Sequence, residues 1–125
     1  MSNAMEMNWN NIESTLGDNE TVFIDCWNPE EPNLKEWQPA YDKAAVANKD
    51  VVFARINTIE EPELAEALGI AKTPTLMVVK RRMDILQKIG HLEEETLLDL
   101  IQVVRDLDVD ELAFRIGPHG ESPTH

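Results

Sequence analysis

Residues 21–39 read TVFIDCWNPEEPNLKEWQP. The strand predicted at 21–26 is apolar on both faces, as in the interior of a sheet, yet it contains Asp25, whose ionised carboxylate is costly to bury. A tryptophan and an acidic loop broken by prolines follow. Over residues 33–47 the apolar side chains then recur at helical spacing. The stretch therefore predicts a buried strand, an acidic loop and an amphipathic helix that Pro39 should bend.

Outward from this stretch, the hydrophobic pattern alternates between helical and strand spacing. Residues 8–16 form a short predicted helix with Trp9 on its apolar side, and residues 51–56 repeat the buried pattern of the first strand. The remaining predicted elements are a helix at 62–68, a hairpin of strands 75–79 and 85–89, and a last helix that opens at Glu93. Strand–helix–strand connections imply parallel neighbours. The fold class is therefore α/β: a central mixed sheet, with a parallel core and a C-terminal antiparallel hairpin, flanked by helices.

Composition limits the class of protein. The chain has 125 residues, 42% of them hydrophobic, and a net charge of −13, which fits one acidic globular domain. A surface of this sign repels phosphate backbones, so nucleic acid is not expected as a partner. The basic run Lys80-Arg81-Arg82 is interpreted as a solvated turn. The sequence has no run of about 18 apolar residues, which predicts a soluble, cytoplasmic protein with no membrane partner.

Cysteine and histidine are scarce. Cys26 is the only cysteine, which excludes an intramolecular disulfide and a zinc knuckle. The three histidines have no metal-ligand spacing, so neither a metal nor a cofactor is expected. At the end of a buried strand, Cys26 is expected to be a small buried hydrophobe.

Three regions are predicted along the chain. Residues 1–4 resemble a vector-derived remnant ahead of a native start at Met5, residues 5–107 form the domain, and residues 108–125 form a C-terminal extension of different composition. The extension contains apolar residues that are expected to dock on the body or on a partner. A homo-oligomer completed by this extension is one of the alternatives.

Five segments resemble the thioredoxin family in their order and spacing. Ile24–Trp27 resembles the strand-ending V-D-F-W of that family, and Trp37–Pro39 falls where its second helix carries a proline. The other matches are A-K-L-N at 54–57, the glycine and cis-proline segments at 68–70 and 73–75, and V-G at 89–90. The resemblance covers residues 22 to 101, and it implies the thioredoxin fold for a member of the thioredoxin-like superfamily.

The resemblance also shows a departure at the redox motif. The C-x-x-C of the family falls on four residues without sulfur: Glu31, Pro32, Asn33 and Leu34. Family chemistry needs an attacking thiolate and a second, resolving thiol, so dithiol exchange is excluded. Glu30 and Glu31 are expected at the helix N-terminus, where a carboxylate is favoured as a thiolate would be.

Asp25 corresponds to the buried aspartate of the family, and Arg55 stands where the family has a lysine. Burial should raise the pKa of Asp25, while pairing with Arg55 should oppose this rise. Two interpretations follow. The buried charge pair Asp25–Arg55 is inherited from a redox ancestor, or Asp25 performs acid–base chemistry on a bound ligand.

The resemblance further implies a peptide groove beside a cis-proline, where an extended segment can add hydrogen bonds like an extra strand. The groove residues carried over, with two acidic residues at the rim, are Trp27, Thr73, Pro74, Gly90, His91, Glu30 and Glu31. A protein or extended peptide is therefore the expected partner.

Two classes of function are predicted. The leading one is a redox-inactive domain, not an enzyme, that binds proteins or peptides at the cis-proline groove as an adaptor or chaperone-like module. The alternative is an enzyme: a thiol–disulfide oxidoreductase, or cell redox homeostasis protein, that uses Cys26 alone with an external thiol, or a non-redox catalyst around Asp25.

Overall fold

The computed structural model describes residues 4–110. Residues 111–125, most of the predicted C-terminal extension, lie outside the described residues. Nine elements follow one another in the described part: β1 (Met5–Glu6), α1 (Ile12–Asp18), β2 (Thr21–Trp27), α2 (Leu34–Ala47), β3 (Val52–Asn57), α3 (Pro62–Ala67), β4 (Thr75–Lys80), β5 (Met83–Ile89) and α4 (Glu94–Asp106).

The strands form one five-stranded mixed sheet in the order β1-β3-β2-β4-β5. β3 pairs in parallel with both β1 and β2, whereas β4 is antiparallel to β2 and to β5. This arrangement confirms the predicted parallel core and antiparallel hairpin. The register places Asp25 opposite Arg55 and Cys26 opposite Thr75.

The sheet separates two apolar layers because successive side chains of a strand point to opposite faces. One layer packs β2 and β3 against α2 and α4, with Phe23, Tyr41 and Leu97 fully buried. The other packs the same strands against α1 and α3 and contains Ile24, Cys26 and Leu64. Full burial of one such large apolar side chain contributes roughly 1.5–3 kcal/mol.

Helix α2 packs against the sheet through its apolar side, and the Tyr41 hydroxyl adds hydrogen bonds to the strands. Trp37, Tyr41 and Ala44 recur on its buried side, which confirms the predicted amphipathic helix. The Tyr41 hydroxyl lies 3.0 Å from the carbonyl oxygen of Phe23 and 2.9 Å from that of Ala54. A hydroxyl has one proton, which these two carbonyls share. The contact joins α2 to both central parallel strands.

The turn between β4 and β5 differs from the predicted solvated turn. Lys80 is buried, and its ammonium group donates to the carbonyl oxygens of Val104, Arg105 and Leu107 at 2.7, 3.2 and 2.8 Å. These carbonyls lie at the C-terminal end of α4, where Val104 O also accepts from the Leu107 amide at 3.2 Å. The lysine therefore caps the negative end of the helix.

Three further predictions about the N-terminal region were wrong or incomplete. Strand β1 was missed, because two residues paired only with β3 leave no hydrophobic pattern. The first helix begins at Ile12 rather than at residue 8. Trp9 is 53% exposed and does not face the core.

Within residues 4–110, no helix combines the length and apolar character needed to span a membrane.

Candidate functional site

Four loops meet at the end of the sheet where the parallel strands β2 and β3 terminate, which is where α/β folds commonly bind ligands. The Thr73–Pro74 peptide bond at this end is cis. The Gly90 amide donates to the Pro74 carbonyl at 2.8 Å, with φ at Gly90 of 98°, a conformation that favours glycine. Pro74 and Gly90, with their chain neighbours Thr73 and His91, are therefore joined at this end of the sheet. Trp27 instead pairs with Asn57 and lines a separate hollow with Glu60 and Glu61.

The segment that replaces the redox motif forms a turn ahead of α2. The left-handed Asn33 (φ 67°) precedes the first helical residue, Leu34. The Glu31 carboxylate accepts a hydrogen bond from the Asn28 amide, at the start of the same loop. The expectation that Glu31 serves the helix N-terminus was therefore wrong: its carboxylate closes the loop instead.

Glu31 and His91 link the two sides of the site. Glu31 Oε2 and His91 Nε2 lie 3.4 Å apart, and both side chains are mostly buried. Burial raises the pKa of Glu31 and lowers the pKa of His91, so near neutral pH an uncharged imidazole faces a carboxyl group. The imidazole also stacks on Trp37, with ring centroids 4.9 Å apart and planes inclined by 10°.

The carboxyl group of Asp25, near the end of β2, lies behind Trp37. Asp25 Oδ2 and Arg55 Nε are 3.7 Å apart, an ion-pair distance rather than a hydrogen bond. Arg55 also donates to Asp42 Oδ1 at 3.0 Å and to the Gln38 carbonyl at 3.3 Å. Burial raises the pKa of Asp25 to about 7, although the nearby Trp37 indole and the Arg55 charge oppose the rise. Asp25 therefore gains or loses its proton near neutral pH.

Cys26 lies on the opposite side of the sheet from this cluster. Its side chain has no exposed surface, as expected from the sequence, and it packs in the α1/α3 layer. Burial, followed by the charge of Asp25, raises the pKa of the thiol to about 12. About one molecule in 10⁵ would carry the thiolate at pH 7. The thiol is unreactive unless its cover opens.

Two surface hollows flank the site. One, of about 540 Å³, lies between α2 and the start of α4 and is lined in part by Trp37 and His91. The other, of about 460 Å³, lies beside α3 and includes Ile70 and Thr73. Ile70 also packs against the layer that contains Cys26. Among the described residues, no group of three or more acidic, histidine or cysteine side chains is arranged to hold a metal.

The contact from Glu31 to His91 to Trp37 could not be read from the sequence. His91 was expected at the groove, but its partners lie 54 and 60 positions away along the chain. The pairing depends on how the β5–α4 loop meets α2, which no local pattern records. The sequence did contain one signal, Gly90. Because glycine has no side chain, another part of the chain can approach its backbone closely.

Comparison with known proteins gives consistent results. The thioredoxin family model matches residues 3–103. A Streptomyces coelicolor protein named "Putative thioredoxin 2" is 41% identical over 112 residues, which cover 90% of this chain and 84% of that protein. A thioredoxin from Alicyclobacillus acidocaldarius is 28% identical, over 70% of this chain and 84% of its own length.

Solved structures agree on the fold. A mutant thioredoxin from Halobacterium salinarum superposes with a TM-score of 0.76 at 22% identity, covering 86% of this chain and 97% of that one. Thioredoxin f from spinach chloroplast superposes with a TM-score of 0.75 at 25% identity, covering 84% and 96%.

These relatives overturn the leading functional prediction. A redox-inactive adaptor was expected because the C-x-x-C positions lack sulfur. Relatives named as thioredoxins, one of them 41% identical, instead support a redox protein of that kind. The prediction rested on the absence of the two cysteines from the C-x-x-C positions. One sequence by itself does not show that its relatives are named as thioredoxins.

Proposed function

The chain belongs to the thioredoxin family, and we propose that it is a thiol–disulfide redox protein whose only reacting sulfur is that of Cys26. The observation that carries the proposal is the 41% identity to a protein named as a thioredoxin. With a single cysteine, the chain has to work by a one-thiol cycle with an external thiol.

The cycle begins at the sulfur of Cys26. Its thiolate attacks one sulfur of a partner disulfide, which forms a mixed disulfide and releases the other partner sulfur as a thiolate that takes up a proton. A first external thiol displaces the partner from Cys26, and a second frees Cys26. For each partner disulfide reduced to two thiols, two external thiols are oxidised to one disulfide.

This chemistry requires Cys26 to become accessible. Its backbone is opposite Thr75, directly after the cis-proline. Ile70 packs against the layer that contains Cys26 and also lines the α3 hollow. We expect the 70–73 segment to move aside when a partner binds, since a connecting loop opens at lower cost than a strand or helix. Opening would also lower the thiol pKa towards its usual value, because burial is the main cause of the rise.

The proposed partner is an extended polypeptide segment that carries the disulfide and occupies the groove. The backbone of Thr73 and the side-chain-free Gly90 permit such a segment to approach closely. The net charge of −13 favours a segment with basic residues.

The test is the reduction of a disulfide-linked peptide in the presence of glutathione. The full chain should accelerate reduction above the rate with glutathione alone, and Cys26→Ala should not. Circular dichroism and urea unfolding verify that the variant folds, and Ile70→Ala should increase the rate by exposing the thiol. A rate equal to that of glutathione alone, or an undiminished rate with folded Cys26→Ala, would contradict the proposal.

A further inference from the structure

The hollow of about 540 Å³ between α2 and α4 opens beside the groove. His91 belongs to both: it follows Gly90 in the groove and lines the hollow. A segment bound at Gly90 can therefore place one side chain into the hollow without leaving the groove.

The wall of the hollow is aromatic and apolar. Trp37 and His91, stacked on each other, form part of it, and Pro39, Ala40 and Leu92 complete the apolar lining. Burial lowers the pKa of His91, so this wall is uncharged at neutral pH. Because Trp37 is only 3% exposed, this wall offers apolar packing surface rather than an open ring face.

The rim of the hollow is acidic. Glu36, Glu93 and Glu94 line it together with one cation, Lys43. Lys43 is already paired with Glu94 at 3.3 Å. Glu36 and Glu93 form no ion pair with any cation of the described chain, and both are exposed. The rim thus presents two carboxylates to whatever enters.

We propose that this hollow is a subsite for an arginine side chain of the partner segment, placed next to the disulfide that the groove holds. The apolar wall matches the methylene stem of arginine. The two rim carboxylates match its guanidinium group, which pairs with carboxylates through several N–H groups. The volume is ample for one long side chain. The subsite rests on the proposed function for its partner, but not on Cys26 for its binding.

The test uses two capped tripeptides without sulfur, acetyl-Gly-Arg-Gly-amide and its citrulline counterpart, which has the same shape and no charge. Binding to the full chain is followed by two-dimensional ¹⁵N NMR at low salt. The arginine peptide should shift the Trp37 indole and the His91 amide signals, and the citrulline peptide should not. Equal binding of the two peptides, or shifts confined to other surfaces, would overturn the subsite.

A pair of matched double variants tests the rim. Glu36→Gln with Glu93→Gln should weaken binding of the arginine peptide about fivefold, the usual effect of two exposed charges. The control, Glu13→Gln with Glu63→Gln, removes the same charge from the first turns of α1 and α3, on the other side of the sheet. Equal weakening by both pairs would show attraction to net charge alone and would overturn the subsite. Neither result depends on whether the redox assay succeeds.

Discussion

His91 stacks on Trp37 with ring centroids 4.9 Å apart, although 54 positions separate the two residues. The stack joins the loop after β5 to the first turns of α2. His91→Ala should lower the free energy of unfolding by about 1 kcal/mol, the usual worth of an aromatic pair. His91→Phe retains a stacking ring and should lose less. Urea unfolding of both variants measures the difference, and equal losses would argue against the stack as the cause.

Asp25 should make the protein less stable as the pH rises from 4 to 8. Its pKa in the fold, about 7, exceeds its usual value of 3.8, so between pH 4 and about pH 7 the folded state holds a proton that the unfolded state has lost. Stability therefore falls with pH, by up to about 4 kcal/mol from this group.

The variant Asp25→Asn isolates that contribution because asparagine does not titrate. Relative to wild type, the variant should gain stability between pH 4 and about pH 7 and then level off, as measured by urea unfolding at four or five pH values up to pH 8. Arg55 retains Asp42 as a partner in the variant, at 3.0 Å. A constant difference across the pH range would show that Asp25 does not titrate in this window.

Replacing Lys80 should destabilise the protein more than replacing most of its other charged residues. Lys80→Met keeps the apolar part of the side chain but removes three hydrogen bonds to the end of α4, and the expected loss is about 3 kcal/mol. Lys88→Met is the matched control, since Lys88 is exposed on the neighbouring strand β5, and it should change stability by less than about 0.5 kcal/mol. Thermal or urea unfolding distinguishes the two; similar effects would contradict the capping role.

A glycine in the turn between β4 and β5 should stabilise the protein. Arg81 and Arg82 have φ values of 52° and 67°, a left-handed conformation that a side chain disfavours. Arg82→Gly should therefore stabilise the protein by about 0.5–1 kcal/mol. Gly69→Ala supplies the reverse case: φ is 76° and there is space for a methyl group, so the expected loss of about 1 kcal/mol comes from the backbone alone. Changes of the same sign in both variants would refute the explanation.

Much of the fold was predictable because its helices and strands have long, regular hydrophobic patterns. The apolar run of β2 and the spacing of Trp37, Tyr41 and Ala44 in α2 record burial residue by residue. Strand β1 could not be predicted, since its two residues are ordered by pairing with β3 and not by their own pattern. Lys80 was misjudged for a similar reason: the carbonyls that make its burial favourable belong to α4, which is distant in sequence.

The candidate site was predictable in part. The groove residues follow from segments that lie at fixed positions in the chain, and the resemblance placed all of them at one end of the sheet. The direction of the Glu31 carboxylate could not be predicted, because the helix N-terminus and the Asn28 amide are both within reach of a flexible side chain. The shape of the hollow beside α2 depends on how α4 packs, which only the folded chain shows.

Asp25 and Cys26 are neighbours in the chain, yet strand alternation sends the carboxyl group into one layer and the sulfur into the other. The sheet therefore separates the carboxyl group of Asp25, which titrates near pH 7, from the sulfur of Cys26, which has to ionise. No proton can pass directly between them, and a negative Asp25 makes the sulfur harder to ionise. Any base that activates this thiol therefore has to arrive from the side of α3, carried by the incoming reductant or its target.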